Sequence, residues 1–132
     1  MLVVKTKVKR SKIHGRGLFA NQNIKKGQVI WIFSPSLDKK FSGERLSQLS
    51  PSVQKHVKYY SYLNDKDEFV LCGDDAKYMN HSDNPNTEDI LTLWNRFLGR
   101  EAITIASQEI KRGEELTSKY LRFNKKGRAR LL

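Results

Sequence analysis

The amino-acid sequence predicts a single domain that is mainly β, built from several small sheets with a short helical insert. Its 132 residues suffice for one hydrophobic core and are too few for two. Val4, Thr6 and Val8 alternate with lysines, which is the period-two pattern of a half-buried strand. No apolar run approaches the roughly 18 residues of a membrane helix, so we expect no membrane contact.

Two further segments have the composition of strands. Residues 29–33 form a continuous apolar run, which predicts a strand covered on both faces. Ile103 and Ile105 alternate with Thr104 and predict another strand. Between these regions Ser50 followed by Pro51 is typical of a helix N-terminus, and a short helix should run through Val57.

An internal repeat connects the two halves of the chain. Residues 20–30 recur as residues 106–116, with Ala, Gln, Ile, Lys, a basic residue, Gly and an aliphatic residue in matching places. Each copy predicts a strand, a tight turn in which glycine takes positive φ, and a second strand. We therefore expect two similar hairpins, since two copies are too few for a solenoid.

The net charge of +11 is unevenly distributed. Lys and Arg crowd both ends of the chain, whereas acidic residues gather between Asp65 and Asp89. The ends could contact an anionic partner such as DNA or RNA, or they could simply be solvated. With Cys72 alone no internal disulfide can form, which suits a reducing compartment. The first residues lack a signal-peptide layout, so we expect a cytoplasmic location, or a nuclear one if the source is eukaryotic or viral.

Three segments carry residues suited to binding and chemistry. Residues 14–17 read His-Gly-Arg-Gly, in which glycines let the backbone approach a ligand closely. Residues 80–82 read Asn-His-Ser and mix hydrogen-bond donors with acceptors. Residues 113–120 read Gly-Glu-Glu-Leu-Thr-Ser-Lys-Tyr and end on a tyrosine hydroxyl. Each segment alone is explained equally well by an ordinary turn.

Together and in this order, the three segments resemble the SET domain, a family of protein-lysine methyltransferases. The resemblance spans about residues 12–120 of a single SET domain over residues 1–132, with a basic C-terminal extension at 121–132. It implies S-adenosylmethionine as methyl donor and a lysine-bearing, basic protein as acceptor. It also implies a knot-like threading near the C-terminus, an exception to unthreaded topology.

The same resemblance assigns roles to residues. His14, Gly15, Arg16 and Gly17 would line the cofactor with backbone atoms. Asn80 and His81 would hold its amino-acid and adenine parts, and Tyr120 would orient the lysine amine. Candidates for the wall of the lysine channel are Tyr59, Tyr60, Tyr62, Tyr78 and Ser118.

The chain departs from the family pattern in several places. Ser118 and Lys119 replace the aromatic and the aspartate that often precede the final tyrosine, and the small serine should leave room for di- or trimethylation. Asp83 stands where many relatives have cysteine. One cysteine and three histidines cannot build the zinc modules that flank many relatives, so we expect no metal site. Residues 121–123, the tail or a partner chain would cover that side, and some minimal members of the family form homodimers.

Two other readings of these residues stay open. One is a SET-like module without catalysis that binds nucleic acid or a protein through its basic ends. The other is a cysteine hydrolase using Cys72, His81 and an asparagine. Asp74 and Asp75 beside Cys72 would raise a thiol pKa rather than lower it, which disfavours the hydrolase.

Overall fold

The computed structural model describes residues 1–120, so the basic extension predicted at 121–132 lies outside the described residues. Within them the chain forms ten short strands, three α-helices and one 3₁₀ helix. The strands are β1 (Thr6–Arg10), β2 (Arg16–Ala20), β3 (Val29–Trp31), β4 (Lys39–Phe41), β5 (Tyr62–Leu63), β6 (Phe69–Leu71), β7 (Asn80–His81), β8 (Thr87–Ile90), β9 (Ile103–Ala106) and β10 (Thr117–Ser118). The helices are α1 (Gly43–Ser47), α2 (Pro51–Tyr60), α3 (Leu93–Phe97) and a 3₁₀ helix at Asp75–Tyr78.

These strands form four small sheets, which confirms the predicted mainly β architecture. β1 and β2 form an antiparallel pair, and two three-stranded sheets have the orders β3-β9-β8 and β4-β6-β5. The fourth sheet pairs β7 with β10 in parallel, so that Asn80 lies opposite Thr117 and His81 opposite Ser118. This pairing joins two of the sequence segments predicted to carry function. The knot-like threading stays a prediction.

The first two predicted strands are present with altered bounds. β1 begins at Thr6 rather than Val4, and Val4 and Val8 pack against the main core. β3 ends at Trp31, so the prediction of a strand covered on both faces across residues 29–33 was wrong at its end. Ile32 is 44% exposed. The apolar composition of residues 29–33 does not by itself give the end of β3, because the end depends on where β3 stops pairing with β9.

The helical insert follows the predicted capping chemistry. The Ser50 hydroxyl accepts a hydrogen bond from the Val53 amide at 3.4 Å, and Pro51 occupies the first turn of α2. In α1 the Ser42 hydroxyl accepts from the Arg45 amide at 3.0 Å. Both helices lie between β4 and β5, and Leu46 and Val57 pack with Phe69 in one core cluster. Tyr59 and Tyr60 are the last two residues of α2.

The two repeat copies pair with each other, which differs from the prediction of two separate hairpins. Ile24 and Ile110 exchange both backbone hydrogen bonds, at 2.7 and 2.9 Å. Ala20 is bonded to Gly113 and Glu114 of the second copy, and Ala106 is bonded in the same way to Gly27 and Gln28 of the first. The glycine turns themselves are confirmed, with φ of +84° at Gly27 and +95° at Gly113. The repeat therefore forms a two-fold-like unit at the centre of the domain.

The main core lies around this unit. Its buried members include residues from both copies and from their flanks: Leu18, Ala20, Ile24, Ile30, Met79, Ala106, Ile110 and Leu116. A second cluster joins Trp31 with Val70, Cys72 and Ala76. No helix in the described part of the chain is long and apolar enough to cross a membrane.

A buried carboxylate organises the loop beside the second cluster. Asp38 is 2% exposed and accepts hydrogen bonds from the Ser34 amide at 2.8 Å and the Gly73 amide at 2.9 Å. Asp74 accepts from the Leu2 amide at 2.7 Å and caps the 3₁₀ helix through the Ala76 amide at 3.1 Å. Some of the acidic residues between 65 and 89 therefore support the backbone.

We predict that Gly73→Ala destabilises the domain by about 1–3 kcal/mol, the usual range for forced overpacking. A Cβ at residue 73 would lie 2.0 Å from the Leu37 carbonyl oxygen, and that backbone is held in place by Asp38. Gly43→Ala is the matched control, since a Cβ there meets nothing within 4 Å. Urea unfolding should show a lower midpoint for Gly73→Ala only, and equal midpoints for the two variants would contradict the prediction.

Candidate active site

The His-Gly-Arg-Gly loop borders a cavity of about 240 Å³, called here the glycine-loop cavity. Its walls combine this loop with the end of α2 and the segment before β7. The residues that line it are His14, Gly15, Arg16, Tyr59, Tyr60, Lys77, Tyr78 and Asn80. Three aromatic rings, two cations and exposed backbone thus face one small space.

The two glycines of the loop have different tasks. Gly15 has φ of +46°, which a residue with a side chain rarely adopts, and its carbonyl accepts from the Ser11 amide at 2.8 Å to close the β1–β2 turn. Gly17 lies against the Glu115 side chain, because a Cβ there would stand 1.8 Å from Glu115 Oε1. Gly17 therefore gives the third functional segment room to approach the first.

Asn80 ties the loop to the second segment. Its side chain is buried, and the amide nitrogen donates to the His14 carbonyl at 3.0 Å and to the Arg16 carbonyl at 3.1 Å. Both acceptors flank Gly15, so one side chain fixes the loop on either side of its most unusual backbone conformation. Asn80 shapes the cavity as well as lining it.

A second cavity of about 240 Å³, called here the central cavity, adjoins the first. Its walls come from Trp31, Tyr60, Tyr62, Leu63, Asn64, Asp65, Cys72, Ala76, Lys77, Met79, Asp89, Thr104, Ser118, Lys119 and Tyr120. Tyr60 and Lys77 line both cavities. The Lys77 ammonium lies 5.7 Å from the Tyr60 ring centre and 5.5 Å from that of Tyr78. The two cavities therefore share a wall of one aromatic ring and one cation.

Tyr120 is held at both of its polar ends. Its hydroxyl donates a hydrogen bond to the Met79 carbonyl, and its backbone amide donates to His81 Nδ1 at 3.0 Å. Met79 and His81 lie on either side of Asn80. One short segment thus shapes the glycine loop and anchors Tyr120.

The far wall of the central cavity is acidic. The Thr104 hydroxyl donates to the Asp89 carboxylate at 2.7 Å. Burial raises the pKa of the Asp89 carboxyl, the Thr104 bond opposes that rise, and the nearby Glu101 adds to it. The Asp89 residue as a whole is nevertheless exposed to solvent. A carboxylate that is partly desolvated and lines a cavity favours a cationic ligand.

Tyr62 and Glu101 extend this polar side. The Tyr62 hydroxyl donates to Glu101 at 3.5 Å, and the same carboxylate is paired with Lys40 at 3.3 Å. Burial raises the pKa of Tyr62 well above its ordinary value, and the ionisable groups of Cys72, Glu101 and Asp89 add to the rise. Tyr62 therefore stays a neutral hydroxyl at any physiological pH.

The residues expected at the site fall into three groups. His14, Gly15, Arg16 and Asn80 line the glycine-loop cavity together with Tyr59 and Tyr78. Tyr62, Ser118 and Tyr120 line the central cavity, and Tyr60 lines both. Gly17 and His81 line neither: Gly17 packs on Glu115, and the His81 imidazole faces Tyr120 and Asp83. Tyr78, a channel candidate from the sequence, thus lies on the cavity of the glycine loop.

Several lining residues were not singled out from the sequence. Trp31, Met79 and Thr104 reach the central cavity from β3, the segment before β7, and β9. Lys77 and Met79 carried a usable signal, since both belong to the segment that continues to Asn80. The others come from strands whose pairing brings them together across the chain.

The arrangement does not support the cysteine hydrolase. Cys72 is buried in the wall of the central cavity, whose described lining residues include no histidine. The His81 ring nitrogens lie against the Tyr120 amide and Asp83 instead. Within residues 1–120, no group of three or more His, Cys, Asp or Glu side chains could hold a metal ion.

Comparison with known proteins gives consistent matches. The family profile described as the SET domain matches residues 15–121. Human histone-lysine N-methyltransferase 2B is 32% identical over 128 residues, covering 86% of this chain and 4% of the relative. Drosophila melanogaster histone-lysine N-methyltransferase trr is 32% identical over 114 residues, covering 84% of this chain and 4% of the relative. The chain therefore spans a small part of the length of these relatives.

Solved structures with similar folds lead to the same architecture. A Plasmodium falciparum protein described as a candidate histone methyltransferase has a TM-score of 0.61 at 22% identity, over 90% of this chain and 95% of that one. Polycomb Repressive Complex 2 of Chaetomium thermophilum, in an autoinhibited conformation bound to S-adenosylmethionine, has a TM-score of 0.63 at 19% identity. That match covers 89% of this chain and 15% of the other. Together they confirm the predicted fold of small sheets with few helices.

We predict that Asn80→Ala destabilises the domain by about 1–3 kcal/mol, because it removes the hydrogen bonds to two backbone carbonyls. Asn80→Asp should be worse, since a carboxylate would face the His14 and Arg16 carbonyls. Ser82→Ala is the control, since within residues 1–120 its hydroxyl accepts one hydrogen bond, from the nearby Asn84 amide. Thermal unfolding checks the order, and an Asp variant as stable as the unaltered chain would contradict it.

Proposed function

Because this chain belongs to the SET-domain family, we propose that it is a protein-lysine methyltransferase that uses S-adenosylmethionine as methyl donor. The observation that carries the proposal is the pair of adjoining cavities with a shared wall at Tyr60 and Lys77. A donor in one cavity and an acceptor in the other would meet across that wall. The fold supports this division. Asn80 lies in β7, and Tyr120 follows β10, the strand that pairs with β7 in parallel.

The glycine-loop cavity fits the chemistry of S-adenosylmethionine. Lys77 and Arg16 are cations able to hold its carboxylate. The rings of Tyr59, Tyr60 and Tyr78 suit an adenine ring and a sulfonium. When bound, the cofactor supplies a methyl group on a positively charged sulfur. We propose that His14, Gly15 and Arg16 contact it through the loop, and that Asn80 keeps the loop in the required shape.

The substrate lysine would enter the central cavity as a cation and react as a neutral amine. At pH 7 removal of its proton costs about 4.6 kcal/mol from a free pKa near 10.4. Asp65 and Asp89 attract the ammonium and basic residues around it. Deeper in the cavity, apolar contacts with Trp31 and Met79 and the nearby Lys77 charge favour loss of the proton.

Tyr120 would aim the amine. Its hydroxyl gives its single proton to the Met79 carbonyl, so toward the cavity the oxygen acts as an acceptor. An amine that donates to this oxygen has its lone pair turned elsewhere, and we propose that it turns toward the shared wall. Positioning of this kind can supply several kcal/mol of rate acceleration.

The protein substrate is proposed to be basic and histone-like. Two relatives bear the name histone-lysine N-methyltransferase. The acidic wall around Asp65 and Asp89 also suits a peptide rich in lysine and arginine.

We predict micromolar binding of S-adenosylmethionine in a calorimetric titration, and different effects from two matched variants. Tyr120→Phe should lower kcat by about 100-fold, because the substrate amine is no longer oriented, with cofactor affinity unchanged. Tyr59→Phe removes a hydroxyl that contacts His14 Nε2 at 3.3 Å across the other cavity, and should weaken cofactor binding with little effect on kcat.

Methyl transfer to a histone-derived peptide, followed by mass spectrometry, supplies the rates. A folded chain that binds no cofactor would overturn the proposal. Salt-dependent binding of DNA or RNA by such a chain would then favour the non-catalytic module instead.

We also propose that Ser118 leaves room for more than one methyl group, and we predict di- or trimethyl product at long reaction times. Ser118 lines the central cavity two residues before Tyr120. Ser118→Phe should fill that space and shift the product toward monomethyl-lysine, as read by peptide mass. Monomethyl product alone from the unaltered enzyme would refute the assignment.

A further inference from the structure

His81 occupies the junction between the second functional segment and Tyr120. Its side chain is 14% exposed and lies opposite Ser118 in the β7–β10 pair. The Ser82 amide donates to the Ser118 carbonyl at 3.0 Å, which continues the pairing beyond His81. The imidazole and Tyr120 rings are 5.7 Å apart, inclined at 31°. The imidazole therefore lies beside the backbone that leads from β10 into Tyr120.

The hydrogen bonds assign the two ring nitrogens. The Tyr120 backbone N–H can only donate, so His81 Nδ1, 3.0 Å away, must carry a lone pair. The neutral ring then has its proton on Nε2, which lies 3.1 Å from the Asp83 carboxylate. Asp83 is an acceptor and favours this tautomer. A ring protonated on both nitrogens would lose the bond to Tyr120.

Resting on the function proposed above, we propose that the His81 imidazole positions Tyr120 and does not hold the cofactor. Tyr120 is anchored at its amide by His81 and at its hydroxyl by Met79. Without the bond to His81, the backbone of Tyr120 can shift, and its hydroxyl then moves relative to the substrate amine. A misplacement of about 1 Å can cost about 100-fold in rate.

This differs from the role that the resemblance implies, in which His81 holds part of the cofactor. Asn80 lines the glycine-loop cavity, whereas the described lining of that cavity does not include His81. The side chains of adjacent residues in an extended strand point to opposite faces. Asn80 accordingly turns to the loop and His81 to Tyr120.

Two variants of nearly equal size separate the acceptor from the ring. His81→Asn can place its amide oxygen near the position of Nδ1, and His81→Leu offers no acceptor. We expect His81→Leu to lower kcat by 10- to 100-fold with the peptide KM within about two-fold, and His81→Asn to recover most of that loss. Calorimetry should give both variants a cofactor Kd within about two-fold of the unaltered chain.

The Tyr120 backbone amide provides a readout that needs no activity. In ¹⁵N-labelled protein its proton resonance should move upfield and exchange faster in His81→Leu, and return in His81→Asn. A His81→Leu variant that loses cofactor affinity would overturn the proposal, because the imidazole would then belong to the cofactor site. Equal rates in the two variants, or an unmoved amide resonance, would overturn it as well.

Failure of the underlying function gives a different pattern. If the unaltered chain neither binds S-adenosylmethionine nor transfers methyl groups, the proposed function falls and the role of His81 in it falls with it. A defect confined to the variants tests His81 alone.

Discussion

The reciprocal pairing of the two repeat copies is the constraint on which the rest of the structure depends. Each copy supplies the hydrogen-bond partners of the other, through Ile24 and Ile110 at the centre and glycine turns on both sides. Because these are backbone bonds between residues 78 to 94 positions apart, they close long loops of the chain. They also fix the register beside the copies, since the Leu116 amide at the end of the second copy donates to the Leu18 carbonyl just before the first.

This register sets the site. β2 carries Gly17 into the first copy, and the second copy continues into Glu115, Thr117 and Tyr120. Gly17 meets Glu115, and the Thr117 amide bonds to the buried Asn86 side chain at 2.9 Å. β7 then pairs with β10. As a result, the glycine loop held by Asn80 lines one cavity, and Tyr120, held by Met79, lines the adjoining one. The geometry of both cavities is therefore a property of backbone pairing, with side chains completing it.

The parts of this arrangement that local chemistry dictates could be predicted from the sequence. Ser50 and Pro51 specify the start of α2, and Gly27 and Gly113 specify turns with positive φ, since each effect acts within a few residues. The partner of each repeat copy could not be predicted, because a strand's pattern gives its burial and not its neighbour. For the same reason Thr104 was not expected at the site. The end of β3 likewise depends on β9.

For Asn80 and His81, the sequence pattern could have predicted that the two side chains point to different parts of the site. Both were assigned to the cofactor by the resemblance to the SET domain. Adjacent residues serve the same cavity only if the backbone turns between them, and an extended pair sends its side chains to opposite faces. Once β7 is recognised as a strand, one residue must face the glycine loop and the other must face away from it. The motif then joins two tasks at a single backbone step: Asn80 holds the loop around one cavity, and His81 supports the tyrosine of the other.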